Sequence, residues 1–451
     1  MSDGPTPLQR QKPPQGFWVI WSTVAIDQIV FAMVLPVLPF VARTYGASAF
    51  QVTALVSVFA LAQFVLSPFI GALSDRVGRK PVLVVSLFGS ALGSMVLGIG
   101  GALWVLFLGR AIDGMSGTAL VSAQTAITDM VEPRQRARYL GLMGSAFAVG
   151  FIVGPGLSGL LSLVDQRLPF FIAAALAAGN AVVAIFRLPE TRPSTAREHL
   201  VGPPGGEDRN PLGPLRHARA VTPAAWFYIG VLAVGLLAFA AVEGGTFTLL
   251  ADDRFSLDQS QVAFVYVGIG VVLALVQVKL VGPVNARFRT RVAVTGALGV
   301  NALGFTIIAM ARSVPVLLLG AACNAVGQGL LRPTCTAAVS NAVPDRSRGA
   351  AIGTQTSAQG LVRIVGPLQA GALYGGVGPS APFAAGAAIA VATAGVAFTA
   401  GRRFDDAVAH PPPPDAPSTD GSSTDGSVMQ NGTDGRRSAP QSPPGGQSSA
   451  G

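Results

Sequence analysis

GALSDRVGRK, residues 71–80, puts one acid and three bases into ten residues of a chain that is half apolar and only 12% charged. It lies between apolar runs at about 51–73 and 81–99, each near the roughly 20 helical residues that cross a ~30 Å hydrocarbon core. Ten further runs of that kind are read at about 17–41, 103–129, 139–163, 168–188, 224–249, 260–281, 292–311, 314–341, 349–374 and 381–400. With 451 residues, 55 glycines and a mean hydropathy of +0.53, the chain does not have the composition of a water-soluble protein. Ten-residue strands of alternating polarity are not seen, so helices are left to satisfy the backbone in lipid. The expected fold is an all-α polytopic membrane protein with twelve transmembrane helices in two six-helix bundles.

A net charge of +9 and a pI near 10.3 could suggest nucleic acid, but the placement of the bases argues for topology instead. With the N-terminus in the cytoplasm, inner loops and tails hold 23 Lys and Arg, while Arg43, Arg167, Arg254 and Arg312 lie outside. That bias predicts a multi-pass protein of the cell membrane with both termini cytoplasmic, the bilayer and a small molecule as its partners, and no nucleic acid. Residues 71–80 become the inner turn between spans 2 and 3. Residues 1–15, an N-terminal tail, contain no apolar core before a cleavage site, so span 1 is expected to direct insertion. Residues 191–222, around VGPPGGEDRNPLGP, read as a cytoplasmic linker between bundles at 16–190 and 223–402. The Pro, Gly, Ser and Thr of 403–451 predict a disordered tail.

Enzyme chemistry finds no support. The GxxxxGK[ST] phosphate loop is absent, and His199, His217 and His410 all fall in the linker or tail. No Cys, His or Asp spacing suits a metal, so the expectation is no enzyme and no cofactor beyond the proton as coupling ion. Cys323 and Cys335, twelve residues apart in one span, stand roughly 18 Å apart on a helix, too far for a disulfide.

Ionisable groups inside spans each cost about 2.5–3.5 kcal/mol at a helix centre and mark functional positions by default. They are Asp27, Arg110, Asp113, Glu243, Arg332 and Arg363, with Asp129 and Lys279 near inner span ends. Asp27, in VAIDQIVFAMVLPVLP, precedes Pro36 and Pro39 and is expected either to exchange protons or to hydrogen-bond a neighbouring backbone. Its neighbour Gln28 is a candidate cavity residue. Glu243, in FAAVEGGTFTLL, lies deep in span 7, the counterpart of span 1 if the halves repeat, and is read as a coupling group or an interhelical contact. Arg110 and Asp113 share a helical face, where they neutralise each other or tune a carboxylate. Arg332 and Arg363 either line a cavity or snorkel.

GALSDRVGRK resembles the G-x-x-x-D-R-x-G-R-[KR] loop between spans 2 and 3 of the major facilitator superfamily, matching at Gly71, Asp75, Arg76, Gly78, Arg79 and Lys80. LGRAIDGMSG is similar to the fourth-span R-x-x-Q-G signature through Arg110 and Gly114, with Asp113 in place of the glutamine. GFIVGPGLSG, through Gly150, Gly154, Pro155, Gly156 and Gly159, resembles the fifth-span motif of antiporters in that superfamily, and RLPETRP after span 6 also fits. Asp27, Pro36 and Pro39 resemble the first span of tetracycline/proton antiporters and vesicular amine transporters, but Gly93 stands where the former carry a third-span acid. GPVNARFRTR, 282–291, is a degenerate second copy of 71–80, offset by 211 residues, as paired halves require.

The resemblance implies a monomeric, proton-coupled antiporter exporting small amphipathic or cationic molecules by alternating access. It also implies a cytoplasmic latch, with Asp75 facing the N-terminus of span 11 near Gly349 and Arg79 paired with Asp129, unless those charges only anchor topology. The span-5 glycines are expected to press against a helix of the other half, or to form an ordinary small-residue interface. A metabolite importer or facilitator, or a non-transporting receptor, are the alternatives.

Overall fold

The computed structural model describes residues 16–117, 123, 124, 126, 127, 130, 131, 136–188, 190, 221–344, 347–405 and 408, apart from the side chains at 75, 136–138, 140 and 243. Asp129, most of the expected linker and nearly all of the expected tail lie outside these residues. All described residues fall within the unit Met1–Pro412.

Helices follow the apolar runs. They are α1 (Phe17–Thr44), α2 (Ala49–Val77), α3 (Arg79–Ile99), α4 (Leu103–Ser116), α5 (Arg136–Ser162) and α6 (Leu168–Arg187). After the linker come α7 (Pro223–Glu243), α8 (Thr246–Phe255), α9 (Gln259–Lys279), α10 (Val281–Arg287), α11 (Thr290–Met310), α12 (Val314–Asn341), α13 (Arg348–Gly376) and α14 (Ala381–Ala400). Ten described stretches are long and apolar enough to span a bilayer, one of them α7 and α8 together. The remaining two expected spans are α4, described as continuous helix to Ser116, and α13. At 29 residues α13 is long enough, but Gln355, Gln359, Arg363 and Gln369 lower its hydropathy.

Span 7 departs from the single helix expected over 224–249. It breaks directly after Glu243 at Gly244 and Gly245, and Gly245 adopts a left-handed φ of 91°, which glycine tolerates without a side-chain clash.

The internal repeat is visible in how helices begin. Ser48 accepts from the Gln51 amide while the Gln51 side chain accepts from the Ser48 amide, a capping box that starts α2. Asp258 and Gln261 form the same box at α9, the matching span of the second half. Packing repeats as well. In the first half α1 lies on α5 and α6, α3 on α4 and α6, and α2 on α4. In the second, α7 lies on α13 and α14, α11 on α12 and α14, and α9 on α12.

Two seams join the halves, α2 against α13 and α5 against α9. A Cβ on Gly371 would meet Thr53 and Phe50, and one on Gly360 would meet Phe64, which fixes an antiparallel α2–α13 register. Continued toward the arginine-rich loops, that register pairs Gly71 with Gly353 and Asp75 with Gly349. Among the described residues nothing lies within 4 Å of a Cβ on Gly71, Gly353 or Gly349, so the helices have parted there. The second seam behaves alike: Gly159 abuts Ser260 and Ala263, and Gly270 abuts Phe151, whereas Gly141 and Gly144 meet nothing within 4 Å. The halves touch at one end and gape at the arginine-rich end.

Candidate functional site: a cavity between the two halves

Between the halves lies a cavity of about 700 Å³, counting its open mouth, bordered by α1 to α5 on one side and α12 and α13 on the other. Asp27, Gln28, Phe31, Ser90, Asp113, Arg332 and Arg363 line it, with Phe59, Gln63, Phe147 and Phe151 completing the wall.

Asp27 is half-buried, and Gln28 Nε2 donates to its Oδ2 at 3.3 Å. Pro36 and Pro39 leave α1 continuous, so Asp27 is held by a full helix packed along α5. Gly150 and Gly154 explain the close fit: a Cβ on Gly150 would strike the Gln28 backbone, and one on Gly154 would come within 2.7 Å of the Ile29 carbonyl. Ser158 Oγ adds a bond to the Met33 carbonyl at 2.9 Å. These glycines therefore face α1 within their own half, contrary to the expectation of a contact with the other half; helical spacing turns only Gly156 and Gly159 toward α9.

Arg110 and Asp113 form a buried ion pair, Nη1 to Oδ2 at 3.0 Å. The guanidinium also donates through Nε to the Leu55 carbonyl at 3.4 Å and lies 4.3 Å from the centre of the Phe59 ring. A Cβ on Gly93 would come within 2.8 Å of Asp113 Cβ, so the α4 carboxylate is anchored directly over the α3 glycine. The acid missing from span 3 has a counterpart from the neighbouring helix.

The Phe31 ring centre lies 5.3 Å from that of Phe59 and 6.4 Å from that of Phe151, with the rings tilted, giving the first-half wall a phenyl surface. Opposite, Arg332 on α12 and Arg363 on α13 line the cavity. Glu243 ends α7, whose Ala240 lines an adjoining pocket that shares Phe31, Arg332 and Arg363 with this one; the Glu243 side chain is outside the described residues.

Of the expected latch, Asp75 lies on α2 with its side chain outside the described residues, and its anticipated neighbour Gly349 faces open space among those residues. Arg76 is exposed and Gly78 forms the turn, with φ 116°, between α2 and α3. Arg79, expected to pair with Asp129, donates its backbone N–H to Glu190 Oε1 at 3.0 Å, and Lys80 donates its own to Oε2 at 3.4 Å. Glu190, the acid of RLPETRP, thus caps the start of α3, where helix N–H groups lack partners.

The closed end holds an ionic knot that sequence reading missed. Arg43, ending α1, pairs with Asp252 at 3.1 Å and bidentately with Asp253, both on α8. Tyr374 of α13 donates to Asp253 Oδ2 at 2.6 Å. The available signal was a charge of opposite sign at the outer ends of spans 1 and 7, the two matching spans.

Comparison with known proteins agrees with this architecture. The sequence profile of the Major Facilitator Superfamily matches residues 20–279 and 246–433. The chain is 31% identical over 363 residues to the class C tetracycline resistance protein of Escherichia coli, covering 79% of this chain and 89% of that protein. It is 28% identical over 367 residues to multidrug resistance protein 2 of Bacillus subtilis, covering 79% and 88%. Among solved structures, the nucleoside transporter NupG aligns with a TM-score of 0.70 at 14% identity, covering 85% of this chain and 98% of that one. The human organic anion transporter TETRAN aligns with a TM-score of 0.64 at 23% identity, covering 86% and 100%. Two matched sets of helices around a charged central cavity, and these matches along most of its length, make the chain a member of the Major Facilitator Superfamily.

Proposed function

We propose that this chain exports small amphipathic molecules across the cell membrane in exchange for protons, as a monomer working by alternating access. The observation that carries the reading is Asp27: a titratable group without an ion-pair partner among the described residues, facing a cavity between two halves that touch at one end and part at the other. Export is supported by the names of its relatives, tetracycline and multidrug resistance proteins. The positive-inside rule makes the open, arginine-rich end cytoplasmic.

In the proposed cycle Asp27, assisted by Arg110 and Glu243, gives up its proton toward the cytoplasm as substrate binds. The halves, 16–190 and 223–402, then rock; the knot at Arg43 opens and the Asp75 and Arg79 latch closes. Substrate leaves outward, and Asp27 reloads. One proton entering down ~100 mV contributes roughly 2.3 kcal/mol, and one pH unit about 1.4 kcal/mol. Together these sustain roughly several-hundredfold accumulation of a neutral solute, since ~1.4 kcal/mol is a factor of ten.

The test is proton release from purified protein on adding lipophilic cations or neutral drugs. Release is expected in the wild type and lost in Asp27→Asn, with Glu243→Gln reduced. Release unchanged in both variants removes the assignment, and solute flux in proteoliposomes that ignores a pH gradient favours a facilitator.

A further inference from the structure

A groove on the outside of the second half joins an apolar trough to a basic end. Trp226, Phe227, Gly230 and Val234 of α7 line it with Thr393 and Val396 of α14, around a space of about 740 Å³ counting its open side. Gly230 makes the notch, since a Cβ there would meet nothing within 4 Å. Thr393 Oγ1 donates to the Ile389 carbonyl at 2.6 Å, so the wall holds no unsatisfied hydroxyl. Val234 and Val396 remain exposed, and none of the lining residues is shared with the central cavity. The groove therefore opens sideways into the bilayer.

At one end α14 runs on into a 3₁₀ turn, Gly401–Phe404, which folds against the start of α7. A Cβ on Gly401 would lie 3.7 Å from the Phe227 ring, and the Phe404 ring centre is 5.0 Å from that of Phe227. Arg402 and Arg403 on this turn are exposed, and among the described residues neither meets a carboxylate, Asp405 being paired with Arg291 at 2.8 Å. Arg403 follows Val396 by seven residues, two turns along the same stripe. Trp226 stands one turn inside α7, 44% exposed, where indoles mark a membrane interface. The positive-inside rule makes this end cytoplasmic.

We propose that this groove binds an anionic phospholipid of the cytoplasmic leaflet, with one acyl chain along α7 and α14 and the phosphate on Arg402 and Arg403. Charge complementarity selects the occupant. Guanidinium groups hold two phosphate oxygens at once, and arginines beside a membrane surface are drawn to anionic lipid. A zwitterionic lipid brings its own ammonium, which offsets that attraction. A free phosphate would find the arginines but leave the notch empty, and a water-soluble protein segment does not enter at acyl depth. Both walls belong to the second half, so the site keeps its shape whichever way the halves tilt, and the lipid is a fixed brace and not cargo.

The experiment reads Trp226 fluorescence in the reconstituted full chain, using lipids brominated on their acyl chains, which quench an indole they touch. Trp18→Phe, Trp21→Phe and Trp104→Phe leave Trp226 as the only tryptophan. Brominated phosphatidylglycerol competing with plain phosphatidylcholine is expected to be favoured at least about threefold at Trp226. A chain that keeps only Trp104, at the other end of its span, should show no such preference. Arg402→Gln/Arg403→Gln should abolish the preference at Trp226. Gly230→Leu, which has room for its side chain, should fill the notch and roughly halve quenching by either lipid. Equal quenching by the two lipids at Trp226, a preference that survives loss of both arginines, the same preference at Trp104, or unchanged quenching in Gly230→Leu overturns the proposal. Quenching without lipid preference that lipophilic drugs relieve also overturns it and gives the groove to cargo. Native mass spectrometry of the chain with all its tryptophans keeps the test independent of those replacements. Phosphatidylglycerol should stay bound at collision energies that strip phosphatidylcholine, and should be lost from Arg402→Gln/Arg403→Gln; equal retention by the two chains overturns the proposal.

Discussion

Arg43 at the end of α1 grips Asp253 on α8 through both guanidinium nitrogens, and Tyr374 of α13 donates to the same carboxylate at 2.6 Å. Three helices from two halves are tied at one point, on the side away from the gap. The pair is about one-third exposed, so its contribution is that of a partly screened bridge, roughly 1 kcal/mol. Arg43→Ala should therefore shift the balance about fivefold away from the conformer seen here. A cysteine at Gly353, introduced after replacing Cys323 and Cys335, reports this directly. Its labelling rate should fall several-fold in Arg43→Ala as the gap closes, and an unchanged rate would show that the knot does not hold this state.

The two faces of α5 should respond differently to one methyl group. A Cβ on Gly154 would press on the Ile29 carbonyl, Ala32 and the Met33 amide, backbone that does not yield cheaply, whereas one on Gly156 meets only Val267 Cγ2 at 3.5 Å. Gly154→Ala should lose about 1–3 kcal/mol as α1 and α5 are forced apart. Gly156→Ala should stay within about 0.5 kcal/mol. Thermal unfolding in detergent compares them, and equal midpoints would contradict the α1–α5 contact.

Removing either member of the Arg110–Asp113 pair leaves a buried charge without its partner, at a cost of about 3–5 kcal/mol. Asp113→Asn and Arg110→Met should each lower the unfolding temperature more than the double variant does. A double-mutant cycle without coupling would mean the two groups are solvated independently. Arg110→Lys should not rescue transport, because an ammonium cannot at once bond Asp113, reach the Leu55 carbonyl and lie over Phe59.

How legible these features were in the sequence follows from the physics of each. Length and hydropathy placed the spans because crossing a bilayer is a one-dimensional constraint; even α13, polar on the side that carries Gln359 and Arg363, emerged as a run. The candidates Asp27, Asp113, Arg332 and Arg363 were visible because charge inside a span is rare, Gln28 only as the polar neighbour of Asp27, and all five border one cavity. What the chain order concealed was pairing. Arg43 and Asp253 are 210 residues apart, and neither lies deep enough in its span to stand out. The direction faced by Gly150 and Gly154 depends on helix rotation, which spacing alone does not fix. The break in span 7 was written in Gly244 and Gly245, but small residues in a membrane helix read equally well as a packing face.

Glu190 offers a test of why RLPETRP follows span 6. Its carboxylate accepts from the Arg79 and Lys80 amides at the start of α3. Glu190→Ala should cost about 1 kcal/mol, as for a lost helix cap. Hydrogen exchange at those two amides should accelerate about fivefold, and protection equal to wild type would assign the motif to something other than capping.

The interruption at Gly244 and Gly245 separates the acids of α8 from the body of span 7. Gly245 rests against Pro39 of α1, and Gly244 against Pro367 of α13. With two successive residues lacking side chains and one already left-handed, the chain pivots there more readily than it would within an unbroken coil. α8 is thus mounted like a hasp on a pin, able to swing Asp253 off Arg43 while the shaft below keeps its grip on the floor of the vestibule.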